Sequence, residues 1–219
     1  MLRALLLIPS LLVAVVAGCQ KAPAPPAEPD APRDVARRLV AARELRDYAT
    51  IAACTVPDKA RIVVDLLAAA DHFLAANERL CRILRAKGCA AVADALDQSV
   101  LADHLELFSR HVELISQTIE DRRAQVAFTV DGRLPLRRAD FVLTDDGWRY
   151  DPGESCEPEL ARTFDELAAR FSQVAADCEA GRIDLPSLRH EPRRLLALIA
   201  ARLQPPGGPP ASRPAQPDP

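Results

Sequence analysis

Residues 141–152 of this 219-residue chain are FVLTDDGWRYDP, and they decide the fold class because helical patterns lie on both sides of them. Apolar residues lead into an acidic turn and aromatic residues follow it, which predicts a β-hairpin. We expect a two-residue turn at Asp146-Gly147 that pairs Leu143 with Tyr150. The predicted hairpin has one apolar face, formed by Phe141, Leu143, Trp148 and Tyr150.

A further strand precedes this hairpin. Its apolar residues alternate with small or polar ones and are Val126, Phe128 and Val130. A two-residue turn at Asp131-Gly132 would put Leu134 on the face opposite to that of Val126, Phe128 and Val130. We therefore expect a three-residue loop there. The apolar residues then change from even-numbered positions, Leu134 and Leu136, to the odd-numbered position of Phe141. This change predicts a bulge near residues 138–140. The three strands form an antiparallel meander over about residues 125–150.

Apolar residues at helical spacing surround this meander. They predict helices over residues 34–53, 57–87, 90–96 and 99–119, one that ends at Gly181, and one over 187–203. Thr55 is expected to cap the second of these helices at its start. The helix over 99–119 has the clearest spacing, a seam for a neighbouring helix formed by Leu101, Leu105, Phe108, Val112, Ile115 and Ile119.

The sequence therefore predicts an α+β fold that is predominantly helical. Long antiparallel helices pack against the small antiparallel β-meander, because three strands need a helix across their apolar face. Further helices follow the meander. Residues 33–204 are enough for a single globular domain.

The segment FVLTDDGWRYDP resembles the closing hairpin of NTF2-like (cystatin-like, SnoaL-type) domains, which are often found in bacterial lipoproteins. The resemblance extends over about residues 58–152. It implies helices packed against a curved antiparallel sheet, with a pocket that binds small molecules or, in some members, catalyses reactions. Two predicted helices follow the hairpin here, whereas NTF2-like domains usually end with their sheet.

The N-terminus has the pattern of a signal peptide over residues 1–18, with Arg3 followed by an apolar run too short to span a bilayer. Its end, Val16-Ala17-Gly18-Cys19, resembles the lipobox of bacterial lipoprotein precursors. The resemblance implies lipidation of the Cys19 thiol and cleavage before it, so that the membrane becomes a partner through the lipid. Gln20 favours the outer membrane, facing the periplasm, by analogy with Gram-negative lipoproteins.

Two proline-rich segments lie outside the predicted domain. Residues 19–32 hold five prolines after the lipidated cysteine and predict an extended tether, and residues 205–219 hold seven and predict a disordered tail. The whole chain has a formal net charge of −3, and this weak acidity argues against nucleic acid as a partner.

Five further cysteines are candidates for disulfides, which a secreted compartment permits. A bond needs Cα atoms within about 7 Å, whereas neighbouring cysteines flank predicted helices several times longer. We hypothesise at least one bond between distant elements, from Cys54, Cys81 or Cys89 to Cys156 or Cys178. One thiol is left over, because five is an odd number.

No familiar catalytic, nucleotide-binding or metal-binding motif occurs, so the sequence predicts no cofactor, no metal site and no catalytic residue. His104 and His111 are seven residues apart on one predicted helix, where a metal pair would prefer three or four. Five arginines surround the first predicted hairpin and form either an anion site or a solvated face: Arg122, Arg123, Arg133, Arg137 and Arg138.

Two hypotheses for function follow from these features, and a third possibility is a purely structural tether with no soluble ligand. The first is a non-enzymatic, membrane-anchored envelope lipoprotein that presents a helical domain to an envelope protein partner, and it predicts an exposed apolar patch on a long helix. The second is an NTF2-like small-molecule-binding or catalytic module anchored in the periplasm. The second requires ionisable groups in a cavity beneath Phe141, Leu143, Trp148 and Tyr150.

Overall fold

The computed structural model describes residues 30–154 and 158–204, so Cys19, Cys156, the signal segment, most of the tether and the C-terminal tail lie outside them. The fold is α+β and predominantly helical, as predicted. The described helices are α1 Pro32–Glu44, α2 Tyr48–Cys54, α3 Pro57–Ala86, α4 Ala90–Leu96, α5 Pro158–Glu179, α6 Leu185–Leu188 and α7 Pro192–Leu203.

A four-stranded antiparallel sheet interrupts the helices between α4 and α5. Its strands are β1 Val112–Glu120, β2 Arg123–Val130, β3 Arg133–Thr144 and β4 Gly147–Asp151. They are joined by tight turns and lie in the order β1-β2-β3-β4, so β1 and β4 are the two edges. The predicted meander is therefore confirmed over β2 to β4, and β1 is an additional strand.

The predicted helix over residues 99–119 is wrong. Two short 3-10 turns, Ser99–Asp103 and Glu106–Phe108, are followed by β1. His111 has a φ of 53° directly before the strand, which breaks any continuing helix. β1 pairs with β2 from Val112 opposite Val130 to Glu120 opposite Arg123, with a bulge between Leu114 and Ser116. This pairing outweighs the local helical spacing.

Both predicted turn registers are also wrong, although the predicted apolar face is correct. Val130 pairs with Arg133 across a two-residue turn. The register then shifts, because β3 has extra residues before Arg137, which pairs with Phe128. Leu134 is accordingly 81% exposed. The pairing is regular from Arg137 onward, so the bulge lies earlier than residues 138–140. In the second hairpin, Thr144 pairs with Gly147.

The second hairpin nevertheless keeps its four apolar residues on one face. Phe141 lies opposite Tyr150, and Leu143 lies opposite Trp148. Phe141, Trp148 and Tyr150 are buried, and Leu143 packs against the same cluster. The face was predictable because Phe141 and Leu143 are two residues apart on β3, as are Trp148 and Tyr150 on β4. A register shift by two residues leaves their shared face unchanged.

The helix predicted over 34–53 is split at a corner where Arg46 has a φ of 54°. Asp47 begins α2 by accepting a hydrogen bond from the Thr50 N–H at 3.0 Å. Thr55 does not cap α3, because its hydroxyl donates to the Ile51 carbonyl instead. The predicted helices over 57–87 and 90–96 are confirmed by α3 and α4.

Two hydrophobic cores share α3. The sheet core holds α1, α2, the sheet and the first half of α3, represented by Val63 and Leu67. The helical core holds α4, α5, α7 and the second half of α3, represented by Leu80 and Leu84. Because α3 has 30 residues, it spans about 45 Å and reaches both cores.

Candidate ligand cavity

A cavity of about 410 Å³ lies where the sheet, α3, the start of α5 and the 3-10 segment meet. The 3-10 segment is residues 99–108, which contain both 3-10 turns. We call it the sheet-side cavity. Its volume lies within the range of ordinary ligand sites. Most of its lining is apolar and includes Leu66, Leu67, Leu105, Phe108, Leu160 and Phe164. Ionisable groups also line it: His104, Glu106, Arg138, Asp140 and Asp151.

The short β4 strand explains why the cavity is open at this point. β4 ends at Asp151, which pairs with Asp140, and Pro152 follows directly. Residues 137–139 of β3 therefore have no β4 partner. Proline cannot donate a backbone hydrogen bond, so it favours the end of the strand there. The 3-10 segment lies over this unpaired part of β3 and completes the wall.

Two of the cavity carboxylates are already engaged. Asp151 accepts a hydrogen bond from the Lys59 ammonium at 2.7 Å. Burial by itself would raise the pKa of Asp151, but the hydrogen bonds from Lys59 and from the Gly153 N–H outweigh burial and hold that pKa below its usual value. Asp140 accepts from the Gln125 amide at 2.9 Å. Both carboxylates therefore already have a hydrogen-bond donor within the protein.

The other three ionisable side chains of the cavity are available to a ligand. His104, Glu106 and Arg138 are exposed, and their side chains make no hydrogen bond or ion pair with another described residue. Glu106 also has a φ of 51°, a backbone conformation that is uncommon for a residue other than glycine. The cavity therefore combines an apolar floor with a guanidinium, a carboxyl group and an imidazole whose side chains have no partner among the described residues.

The cavity does not lie beneath the whole apolar face of the second hairpin. Phe141 is fully buried, and Trp148 is buried in the same sheet core. Tyr150 lines the cavity and packs edge-on against Phe108, with ring centroids 5.5 Å apart. Protein side chains thus fill the centre of this face, and the cavity opens at its Tyr150 end.

The predicted cysteine candidates lie in both cores. Cys54 belongs to the sheet core, and Cys81, Cys89 and Cys178 belong to the helical core. These four are buried free thiols in the structure. Because Cys156 lies outside the described residues, a disulfide between distant elements stays a prediction.

The structure does not bring together the histidines or the arginines considered from sequence. His104 lines the cavity, whereas His111 lies beyond the 3-10 segment at the start of β1. Arg123 is the first residue of β2, and Arg133 pairs with Val130, the last residue of that strand. The length of β2 therefore separates the two arginine backbones by about 23 Å. Within residues 30–154 and 158–204, no group of three or more His, Cys, Asp or Glu side chains is placed to hold a metal ion.

Few features of the sequence indicate the cavity, because its lining comes from five separated segments. The one usable signal was Pro152, which marks the end of a strand and the start of an irregular connection.

Comparisons with protein families, with curated proteins and with solved structures found no match for this chain. Among the described residues, no helix is both long enough and apolar enough to cross a membrane.

Proposed function

We propose that this protein is a cell-envelope lipoprotein whose domain binds a small amphipathic molecule in the sheet-side cavity. One observation carries this proposal: an apolar floor and three unengaged ionisable side chains meet in a single cavity of about 410 Å³. Such a site can bury an aliphatic or aromatic body and orient a polar end. The proposal concerns binding and assigns no chemical step to the site.

The proposed anchor supports a role at a membrane. The resemblance of Val16-Ala17-Gly18-Cys19 to a lipobox supports lipidation of Cys19 and an outer-membrane location facing the periplasm. Two or three acyl chains hold a protein firmly, since each buried CH₂ contributes about 0.8 kcal/mol. The resemblance of residues 58–152 to NTF2-like domains supports the same proposal, because those domains bind small molecules between helices and a sheet.

The anchor and the ligand can be tested together by native mass spectrometry of the full chain, extracted gently from its own membrane. We expect a species that begins at Cys19, carries two or three acyl chains and retains a small molecule. A chain that still carries residues 1–18 would contradict the proposed anchor. A lipidated chain that never retains or binds a small molecule would contradict the proposed cavity function alone.

A fluorescent anionic amphiphile, anilinonaphthalene sulfonate, tests the cavity itself. We expect saturable binding that is reduced at least about tenfold by Leu160→Trp, because the larger side chain fills the entrance. Leu160 is exposed, so the variant should fold. Leu198→Trp is the matched control, because Leu198 is exposed on α7 and does not line the cavity. Equal binding by both variants would reject the site.

A second candidate function is binding of a protein partner at the edge strand β1. The exposed apolar patch that this hypothesis expected on a long helix is not on α3, since no large apolar side chain of α3 is exposed. Ile115 and Ile119 are exposed on β1 instead. A nine-residue edge strand with exposed apolar side chains favours addition of an extended partner segment.

Partner capture distinguishes the two candidates. Chemical cross-linking of the native envelope, followed by purification of this chain, should give a partner at fixed ratio if β1 is an interface. We expect Ile119→Lys to abolish that cross-link and Leu198→Lys to preserve it. A cross-link that survives Ile119→Lys would place the interface elsewhere.

A further inference from the structure

A second groove, of about 490 Å³, lies against α3 on the other side of the 3-10 segment. Four arginines from separate parts of the fold line it: Arg43 of α1, Arg46 of the α1–α2 corner, Arg85 of α3 and Arg110 after the 3-10 segment. We call it the arginine groove. Four carboxylates line it as well, so its affinity for an ion depends on which charges are already paired.

The floor of the groove is a closed ionic network. Arg43 donates to both carboxylate oxygens of Asp71, at 2.6 and 2.5 Å, and donates from Nε to the Phe108 carbonyl. The Tyr48 hydroxyl donates to the same carboxylate at 2.5 Å. Burial by itself would raise the pKa of Asp71, but these hydrogen bonds hold it below its usual value. Neither charge of the pair is left for a ligand.

Two further charges in the groove also cancel. Arg85 donates to Asp97 at 2.9 Å and to Asp94 at 3.1 Å. Glu78 accepts from Arg82 at 3.1 Å on the surface of α3. Of the groove-lining groups, Arg46, Arg110 and Glu44 remain, and Asp103 offsets part of the Arg110 charge.

Arg46 is placed at the groove by an unusual backbone. Its φ of 54° is left-handed, and the Asp47 N–H closes the corner on the Ala42 carbonyl at 2.8 Å. Its side chain is 67% exposed, and its nearest acid is Asp71, 3.6 Å away, which already accepts three hydrogen bonds from Arg43 and Tyr48. Backbone of this kind is concentrated at binding and catalytic sites.

Arg110 reaches the same groove from the other side. Its Nε lies 3.4 Å from Asp103, and one terminal nitrogen donates to the Ser99 carbonyl. A guanidinium has five N–H donors in a fixed fork, so these two contacts leave donors free for an oxyanion. Its side chain is 54% exposed, which keeps those donors accessible.

Ser109 gives an independent indication of a missing partner. It lines the groove beside Arg110 and is only 5% exposed. Its N–H donates to the Glu106 carbonyl, but its hydroxyl makes no hydrogen bond with any described residue. Buried hydroxyls without a partner are rare, because the lost hydrogen bonds to water are not replaced.

We propose that the arginine groove binds a small oxyanion, a carboxylate or phosphate group, through Arg46 and Arg110. The Ser109 hydroxyl supplies a third donor. The closed Arg43–Asp71–Tyr48 network forms the floor, and the Arg43 guanidinium offsets the negative charge of Asp71 that would otherwise repel an anion. Two arginine forks and a hydroxyl are donors that match a planar or tetrahedral oxyanion.

Titration calorimetry of the purified full chain with inorganic phosphate, and separately with acetate, tests the site. We expect saturable binding that weakens about tenfold or more in Arg46→Gln and in Arg110→Gln, since each removes a charge-assisted hydrogen bond. Ser109→Ala should weaken binding less. Arg61→Gln is the control, because Arg61 is an exposed arginine of α3 outside the groove.

The source of the oxyanion is resolved by a second measurement. Vesicles of phosphatidylglycerol, compared with phosphatidylcholine, test a lipid headgroup with the same variants. Saturable binding of a free anion, or vesicle binding that Arg46→Gln and Arg110→Gln both abolish, supports the groove. No saturable binding of any probe would overturn the proposal, as would an equal loss in Arg61→Gln. Amphiphile binding in the sheet-side cavity should not change in these variants.

Discussion

The sheet core and the helical core share one helix but are built from different contacts. The sheet core depends on strand pairing and on a buried ion pair that joins α1 to α3, and both the sheet-side cavity and the arginine groove border it. The helical core depends on the packing of α3 against α4 and α5 and of α7 against both, and it contains three buried cysteines. Both candidate sites thus lie beside the sheet core, where helices, strands and the 3-10 segment meet.

The largest expected effect comes from removing one large side chain from each core. Phe128 is fully buried in the sheet core and Leu84 is fully buried in the helical core. We expect Phe128→Ala to lower the free energy of unfolding by about 3–5 kcal/mol and Leu84→Ala by about 2–5 kcal/mol. Chemical denaturation of both variants measures these losses.

Two spectroscopic probes show whether the cores unfold together. Trp148 is the sole tryptophan of the chain and lies in the sheet core, whereas far-ultraviolet circular dichroism mainly follows the helices. Because α3 is continuous through both cores, we expect the two probes to give one coincident transition in the wild-type chain. Separate transitions would divide the single domain predicted over residues 33–204 into two folding units.

A slightly smaller effect is expected from the ion pair at the border of the sheet core. Asp71→Asn leaves the Arg43 guanidinium buried without its countercharge and should cost about 3 kcal/mol. The control is Asp65→Asn, whose partner Arg61 is exposed on the same helix, and it should cost about 0.5 kcal/mol or less. Thermal denaturation of both variants at neutral pH makes the comparison, and equal losses would show that burial of the pair is unimportant.

The same carboxylate predicts a pH dependence. The folded-state pKa of Asp71 is below its ordinary value of about 3.9. Its contribution to stability is therefore fully present above pH 4 and is lost as the pH falls below that value. Stability measured between pH 6 and pH 2 should fall less steeply in Asp71→Asn than in the wild-type chain. Parallel curves would exclude this linkage.

The helical core was largely predictable from sequence, because helical spacing is a local property. The prediction over residues 57–87 matches α3, and that over 90–96 matches α4. In each case the apolar stripe lies within the element itself, and a boundary residue lies at or near its end: Pro57 begins α3, and Gly88 lies between α3 and α4. No distant partner is needed to recognise such a helix.

The sheet core was only partly predictable, because β1 has no local signal of its own. Its isoleucines continue the four- and three-residue spacing of the preceding segment, which predicts a helix. The turn between β1 and β2 contains Asp121 at a φ of 55°, where glycine or asparagine would have marked a hairpin. Only pairing with β2 determines the strand, and this pairing is not a local property.

The candidate sites were even less accessible to sequence analysis. The sheet-side cavity depends on where β4 ends, and the arginine groove depends on arginines from three regions of the chain that lie far apart. A predicted helix over 99–119 would have placed both His104 and Arg110 on its surface. The actual 3-10 segment separates the two cavities, and Phe108 lines both.

The thiols of the helical core predict a difference in reactivity. Burial, together with the neighbouring Asp177, raises the pKa of Cys178 to about 11. An unperturbed thiol has a pKa of about 8.5, so at pH 8 the folded chain holds on the order of a hundredfold less thiolate at Cys178. Alkylation at pH 8 should be slow in the folded chain and fast in denaturant.

This alkylation experiment also has a pH consequence and a control. The raised pKa stabilises the fold fully below about pH 8.5, and that contribution is lost as the pH rises toward 11. Cysteines in a disulfide would stay unmodified even in denaturant unless reductant is added, which separates burial from oxidation. Rapid alkylation of Cys178 without denaturant would show that this core opens readily.

The smallest expected effect concerns the outer edge of the sheet core, at β1. Ile119 is 49% exposed, so Ile119→Lys removes little buried area and should change the free energy of unfolding by less than about 0.5 kcal/mol. Lysine on an edge strand also opposes pairing with a further strand. The variant should therefore keep its stability and lose any association through β1, measured by denaturation and by analytical ultracentrifugation. A loss of several kcal/mol would instead mean that Ile119 is packed in the sheet core. In that case β1 would not be an edge available to a further strand.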